Sequence, residues 1–158
     1  MNIRIGSGID FHQLVEGRDL WIGGIKIPHT KGALGHSDAD VIAHAAADAL
    51  LGAASLGDIG MHFPDTDPQW AGANSLTLLA HVATIVREAG FEIGNVDCSI
   101  VCEKPKIAPH REEMQKLLSD AAGATITIKG RRAEGLGALG REEGIACWAV
   151  AVIERTQA

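Results

Sequence analysis

The sequence predicts one α/β domain of the α+β type, residues 1–158, with a mainly β four-stranded sheet, helices on one face and further copies of the chain on the other. Three observations predict it. Strand-like and helix-like periodicities are interleaved without linker, internal repeat or low-complexity stretch, which favours a single core. A chain of 158 residues can bury most of that core without disulfide or metal staples. The last strand-like segment is apolar on both parities, with Ile145, Cys147, Ala149, Ala151 and Ile153 on one and Ala146, Trp148, Val150 and Val152 on the other. Three helices can cover one face of such a sheet, so the second apolar face needs another subunit and a homo-oligomer is expected.

Ile3 to Ile9 alternates apolar residues with small or polar ones, so a strand should enter the segment GIDFH. Trp21 to Ile27, with Gly23 and Gly24 inside it, reads as a short hairpin ending at Pro28. In GHSDADVIAH, Gly35 to His44, Ser37 followed by Asp40 before an apolar run reads as an N-cap with its capping-box partner. The helix it opens, about Asp38 to Ala54, is alanine-rich, which lets other elements approach closely, and LGDIG breaks it. MHFPDTDP is a loop by its prolines and aspartates. Asn74 to Ala89 is an amphipathic helix with Leu76, Leu79, Val82, Ala83 and Val86 inward and Gly90 as its stop. Asn95 to Cys102 is a strand, followed by the proline-bounded EKPKIAP and a third helix from about His110 to Ala121. Thr125 to Lys129 and Ile145 to Ile153 complete the sheet on either side of the turn region GRRAEGLGALGREEG.

Hydrophobic residues at 46% and charged ones at 22% are those of an ordinary globular protein. No charged leader precedes an apolar stretch and no apolar run approaches the length of a membrane span, so neither a secretory signal nor a membrane partner is expected. The odd cysteine set Cys98, Cys102 and Cys147 lies on apolar segments and fits reduced thiols in a cytoplasm. A formal charge of −6 argues against nucleic acid as a partner. An anionic ligand would need bound cations and a few local basic residues to overcome that field.

Candidate chemistry gathers in a few places. Free N–H groups and the positive dipole end of the GHSDAD helix could hold a phosphate, with His36 just before the cap and His44 about two turns further in. Asp48 follows His44 at i+4 on the same face, where its carboxylate could orient the imidazole of a metal ligand. Asp10 and His12, two apart at a strand end, project from one face about 7 Å apart. With His44 they make a carboxylate and two imidazoles, a set that zinc accepts with one position left open. Alone, His44 reads as a packed imidazole and the Asp-x-His pair as a common dipeptide; their conjunction points to metal. Asp58 and Asp65 are exposed acceptors suited to polyol hydroxyls or to turns, and Asp67 before Pro68 is a turn former. Lys104 and Lys106 flank Pro105 in a loop whose backbone amides could edge a flat ring. Arg131 and Arg132 could neutralise a diphosphate, with Glu134 holding a second divalent cation against it.

GIDFH, GGIKIP, GHSDAD with its trailing His44, LGDIG, FPDTDP, EKPKIAPH and GREEGIA stand in an order and approximate spacing that resembles the 2-C-methyl-D-erythritol 2,4-cyclodiphosphate synthase family across essentially the whole chain. The resemblance implies a homotrimeric lyase of non-mevalonate isoprenoid biosynthesis with sites between adjacent subunits. Its substrate would be 4-diphosphocytidyl-2-C-methyl-D-erythritol 2-phosphate and its products the cyclic diphosphate and CMP. It implies Zn2+ on Asp10, His12 and His44, phosphate contacts from His36 and Ser37, and a catalytic part for His36. Asp58, Gly60 and the loop from Phe63 to Asp67 would receive the methylerythritol, with Asp65 on its hydroxyls. Cys102 to Ala108, including Lys104 and Lys106, would embrace the cytosine from a neighbouring subunit, and Glu134 would bind Mg2+ or Mn2+. The substrate's own 2-phosphate would attack the β-phosphorus, so no protein nucleophile is needed.

The sequence departs from that family at Arg131, Arg132 and Ala133, which stand where a run of threonines is usual, and at Ala138 in place of a phenylalanine. The connection near Gly123 is also a few residues shorter. An arginine brings full charge and longer reach than a threonine hydroxyl, so Arg132 is expected to take over stabilisation of the developing charge. Arg141 and Glu143 match positions near a three-fold axis, where Ala138 would leave a wider, less greasy cavity and weaken any hold on isoprenoid diphosphates. Two other readings of the same residues are a zinc-dependent phosphohydrolase and a non-catalytic relative that binds cytidine nucleotides or metal.

Overall fold

The computed structural model describes residues 2–156. Its first strand, β1 (Ile3–Glu16), runs through the GIDFH segment and well past Ile9. The hairpin follows as β2 (Leu20–Ile22) and β3 (Ile25–Ile27), paired antiparallel apart from the main sheet. A short strand not foreseen from the sequence, β4 (Lys31–Ala33), then returns along β1, pairing Leu14 with Ala33 and Glu16 with Lys31. Next come α1 (Val41–Ala54), a single turn α2 (Ile59–His62), α3 (Ser75–Glu88), β5 (Phe91–Val101), α4 (Arg111–Ala122), β6 (Thr125–Arg131), a second single turn α5 (Gly137–Gly140) and β7 (Gly144–Arg155). The four long strands expected are present, and β4 extends the sheet to five in the order β4-β1-β7-β5-β6. Only β5 and β6 run parallel, and α4 supplies the crossover that a parallel pair requires.

α1 lies against the sheet at backbone range. Gly6 and Gly8 of β1 face Ala45, Ala49 and Ala53, spaced at i, i+4 and i+8 on α1, and a Cβ on either glycine would run into the helix backbone. Glycine opposite an alanine stripe is what permits this contact. It holds His44 of α1 over Asp10 and His12 of β1. Leu50, Leu51, Ile42, Leu79, Met114, Leu118 and Ile153 fill the space between helices and sheet, all fully buried. On α3 the inward stripe is Leu78, Leu79, Val82, Ala83 and Val86, with Leu76 only partly buried.

The other sheet face is bare in the single chain. The parity of β7 that carries Ile145, Cys147, Ala149, Ala151 and Ile153 is buried, while Trp148 and Val150 are exposed. Ile3, Ile5, Ile9 and Phe11 of β1 lie exposed beside them, and Phe11 stacks edge-on against Trp148 with ring centroids 5.5 Å apart. This is the apolar face expected from the last strand.

α1 starts later than expected, and the reason is local. Asp40, not Ser37, is its N-cap, accepting from Ile42 N and Ala43 N, while its carboxylate also takes Gly23 N at 2.9 Å and Gly24 N at 2.6 Å from the hairpin. Fully buried, Asp40 satisfies four backbone donors. The expectation of a free helix N-terminus able to hold a phosphate is therefore overturned. His44 consequently sits in the first turn of α1 rather than two turns in.

Candidate active site and metal centre

Three side chains converge where β1 meets α1. His12 Nε2 lies 2.8 Å from Asp10 Oδ2, His44 Nδ1 lies 3.1 Å from the same oxygen, and the two nitrogens are 3.2 Å apart. A tetrahedral ion bound at about 2.0–2.1 Å sets its ligand atoms about 3.3 Å apart, so one divalent cation fits the triad. Each imidazole also has its far nitrogen engaged. His12 Nδ1–H donates to the Leu34 carbonyl at 2.8 Å, which β4 places there, so Nε2 is the nitrogen that faces the centre, holding a proton against Asp10 without an ion and presenting a lone pair to a cation that displaces it. Burial would raise the Asp10 carboxyl, but hydrogen bonds from His12 and His44 outweigh it and hold it at about 2. Burial likewise opposes the charged form of His12, and the hydrogen bond and charge of Asp10 outweigh it, raising the imidazole. The cluster is built to hold positive charge.

Beside it a hollow of about 140 Å³ is lined by His36, Ser37, His44, Ile59, Gly60, Phe63, Asp65, Trp70 and Leu78. His36 Nε2–H donates to the Asp67 carbonyl at 3.2 Å, and Gly72 N donates to the His36 carbonyl, so the segment carrying His36 and Ser37 is laced to the 67–73 loop. Phe63 packs edge-on to Trp70 at 4.9 Å and forms the apolar wall. A second hollow of about 340 Å³ gathers Cys102, Lys106, Ala108, Arg131, Arg132 and Glu134. No residue lines both. Among the described residues no ion pair holds the Arg131 or Arg132 guanidinium. With Lys106 and Arg111, which are likewise in no ion pair among the described residues, the second hollow gathers four cations around Glu134.

A family model described as the YgbB family matches residues 3–154. The chain belongs to the YgbB family. It is 52% identical over 158 residues to a 2-C-methyl-D-erythritol 2,4-cyclodiphosphate synthase of Geobacillus thermodenitrificans, covering 98% of this chain and 99% of that one. Its fold superposes with TM-score 0.85 on a CDP complex of IspF from Plasmodium falciparum, at 33% identity and 99% coverage of both chains. It superposes with TM-score 0.93 on the bifunctional IspDF of Campylobacter jejuni at 39% identity, covering 98% of this chain and 43% of that longer one.

Several residues expected at the site of this YgbB-family chain have other duties. Asp58 caps α2 through Met61 N and does not line the hollow, although Gly60 beside it does. Asp67 caps the turn at Pro68–Trp70 through Gln69 N, as its position before a proline suggested. Lys104 pairs with Glu142 at 3.1 Å outside the second hollow, and Arg141 pairs with Glu143 at 2.8 Å. Ala138 and Glu143 line a separate hollow of about 400 Å³ with Phe11 and Leu139. Cys102 has its thiol pushed up to about 12 by burial and by Glu142 and Glu103, so it is an unreactive wall.

Asp48 does not orient His44, contrary to expectation; its Oδ1 accepts from Ile59 N at 2.7 Å and so anchors α2 to α1. His44 Nε2 is met instead by Ser75 Oγ at 2.8 Å and Ser37 Oγ at 3.1 Å. Ser75 in turn reaches Asp38, through Oγ to Oδ1 and through its backbone N to Oδ2 at 2.9 Å. Neither Ser75 nor Asp38 was expected from the sequence at the centre. The one local hint was the NSL start of α3, where Asn74 already supplies the cap.

Proposed function

We propose that this chain is a 2-C-methyl-D-erythritol 2,4-cyclodiphosphate synthase that forms the cyclic diphosphate and CMP from 4-diphosphocytidyl-2-C-methyl-D-erythritol 2-phosphate. The observation that carries the reading is the cation-sized convergence of Asp10, His12 and His44 in a chain 52% identical, end to end, to a relative so named. Zinc on that triad, with Mg2+ or Mn2+ at Glu134, would supply fixed positive charge against the phosphates. The chain's own residues do the rest. Ser37 and His36, held by the loop contacts, receive the 2-phosphate, and the Phe63–Asp67 loop holds the polyol with Asp65 on its hydroxyls. Phe63, Trp70 and Leu78 exclude water from the attack. Arg132 and Arg131 spread the charge that develops as the β-phosphorus changes partners, and backbone groups of Cys102 to Ala108 hold the cytosine. Catalysis is then positioning and electrostatics, because the nucleophile belongs to the substrate.

The two hollows are complementary halves, one suited to polyol phosphate and one to nucleoside diphosphate, and the bare sheet face supports an assembly that joins them. We therefore read the active form as a homotrimer with each site shared by neighbouring subunits. Incubating the zinc-loaded protein with substrate in H2 18O should give CMP and a cyclic diphosphate in the 31P spectrum, with no solvent oxygen in either. Solvent 18O in the product, or release of inorganic phosphate, would instead establish a phosphohydrolase. Nucleotide binding without turnover would leave a non-catalytic relative.

A further inference from the structure

His44 has one nitrogen toward the metal triad and one toward Ser75, and the pattern of donors fixes which carries the proton. The Asp38 carboxylate can only accept. It accepts the Ser75 backbone N–H on Oδ2, and on Oδ1 both the Asp40 backbone N–H at 3.2 Å and the Ser75 hydroxyl. With its only hydrogen given to Asp38, Ser75 Oγ must be an acceptor toward His44, so Nε2 carries a proton and Nδ1, which faces Asp10 and His12, is the nitrogen left to bind a cation. Ser37 Oγ, which accepts the Ala39 N–H at 3.2 Å, is not required for this and keeps its own hydrogen for the hollow it lines. Ser75 is 1% exposed, so water does not compete for its bond to His44.

We propose that Ser75 and Asp38 are positioning residues for the metal centre, acting in series to hold His44 in the tautomer and orientation that bind a divalent cation. Neither touches the triad's centre. Their action runs from the α3 N-terminus, through the segment that carries His36 and Ser37, into α1. The pair thereby ties metal affinity to the closed packing of the phosphate-receiving loop on α3. This rests on the metal reading above, and the test separates the two.

Zinc affinity is measured by chelator competition, with melting of the zinc-free proteins as the control for folding. Ser75→Ala and Asp38→Asn should each weaken zinc binding roughly 10- to 100-fold, the range for residues that orient a ligating histidine. Because the two act in one chain of bonds, the double variant should bind no more weakly than the worse single variant. Ser75→Thr, which keeps the hydroxyl, should restore affinity to within a few-fold. In the 15N-histidine spectrum of the wild-type zinc protein, the His44 Nε2–H should exchange slowly. This last readout needs no variant and stands if Ser75→Ala fails to fold. Zinc affinity within twofold of wild type in Ser75→Ala, additive losses in the double variant, or a rapidly exchanging Nε2–H would each overturn the proposal. A wild-type protein that binds no zinc would overturn the metal reading itself.

Discussion

Two imidazole nitrogens 3.2 Å apart beside a carboxylate oxygen repel one another unless a proton or a cation lies among them, and a divalent cation binds all three at once. Stripping zinc with a chelator should therefore lower the melting temperature, and adding zinc back should restore it. With free zinc at 100 times its dissociation constant, the stabilisation is about 2.7 kcal/mol; an unchanged melt would mean that the triad does not hold metal. At the second hollow the decisive residue is Arg132, in no ion pair among the described residues of a chain of formal charge −6. Losing a charge-assisted contact to a transition-state oxygen costs about 1.5–3 kcal/mol, so Arg132→Ala should release CMP roughly 10- to 100-fold more slowly, and Arg132→Thr should recover part of the loss. Wild-type turnover in Arg132→Ala would assign the charge to another group. At this scale the Asp10–His12 pair was legible because strand residues two apart share a face whatever the rest of the chain does. Asp38 and Ser75 were not, because the bond between them spans 37 positions.

α1 is placed by what it cannot avoid. Its backbone contact with β1 leaves no volume at Gly6 or Gly8, and the colliding atoms are helix backbone, which cannot rotate aside as a side chain can. Gly8→Ala should push α1 outward and cost about 3 kcal/mol or more in a urea titration, with a parallel fall in zinc affinity because His44 moves with the helix. Normal affinity in a stable Gly8→Ala protein would show that the strand yields instead. The helix start carries a second prediction. Asp40→Asn keeps the shape but turns one acceptor into a donor facing Gly23 or Gly24 N–H, and should cost about 1–3 kcal/mol by the same measurement. The alanine stripe of α1 announced close packing in the sequence. Its start did not, because Ser37, Asp38 and Asp40 all suit a cap and the choice is made by the hairpin's buried N–H groups, which only the folded chain brings near. β4 escaped for a simpler reason: three residues show no periodicity, yet it is what sets the Leu34 carbonyl on His12.

The chain as a whole exposes more apolar sheet than a monomer would keep in water, with Ile5 at 71%, Phe11 at 58% and Ile3 at 53% exposure along one strand. This face was readable from the double apolar parity of β7, since helices gathered on one side of a sheet leave its other side to be covered by something else. The separation of the two hollows was not, because cavity shape depends on how the Phe63 and Ile107 loops pack. Together they make a prediction that neither supports alone. If each site takes its metal half from one subunit and its nucleotide half from the next, a variant damaged in one half can be complemented by a variant damaged in the other. His44→Ala removes the first half and Glu134→Ala the second, and each homo-oligomer should be nearly inactive. Unfolded and refolded together in equal amounts, they should form mixed rings in which about a quarter of the sites pair two intact halves, and about a quarter of wild-type activity should return. Mixing without exchange of subunits should restore nothing. Activity in the co-refolded sample no greater than the sum of the separate variants would place a complete site within each chain, and would require the two hollows to close on one substrate without help from a neighbour.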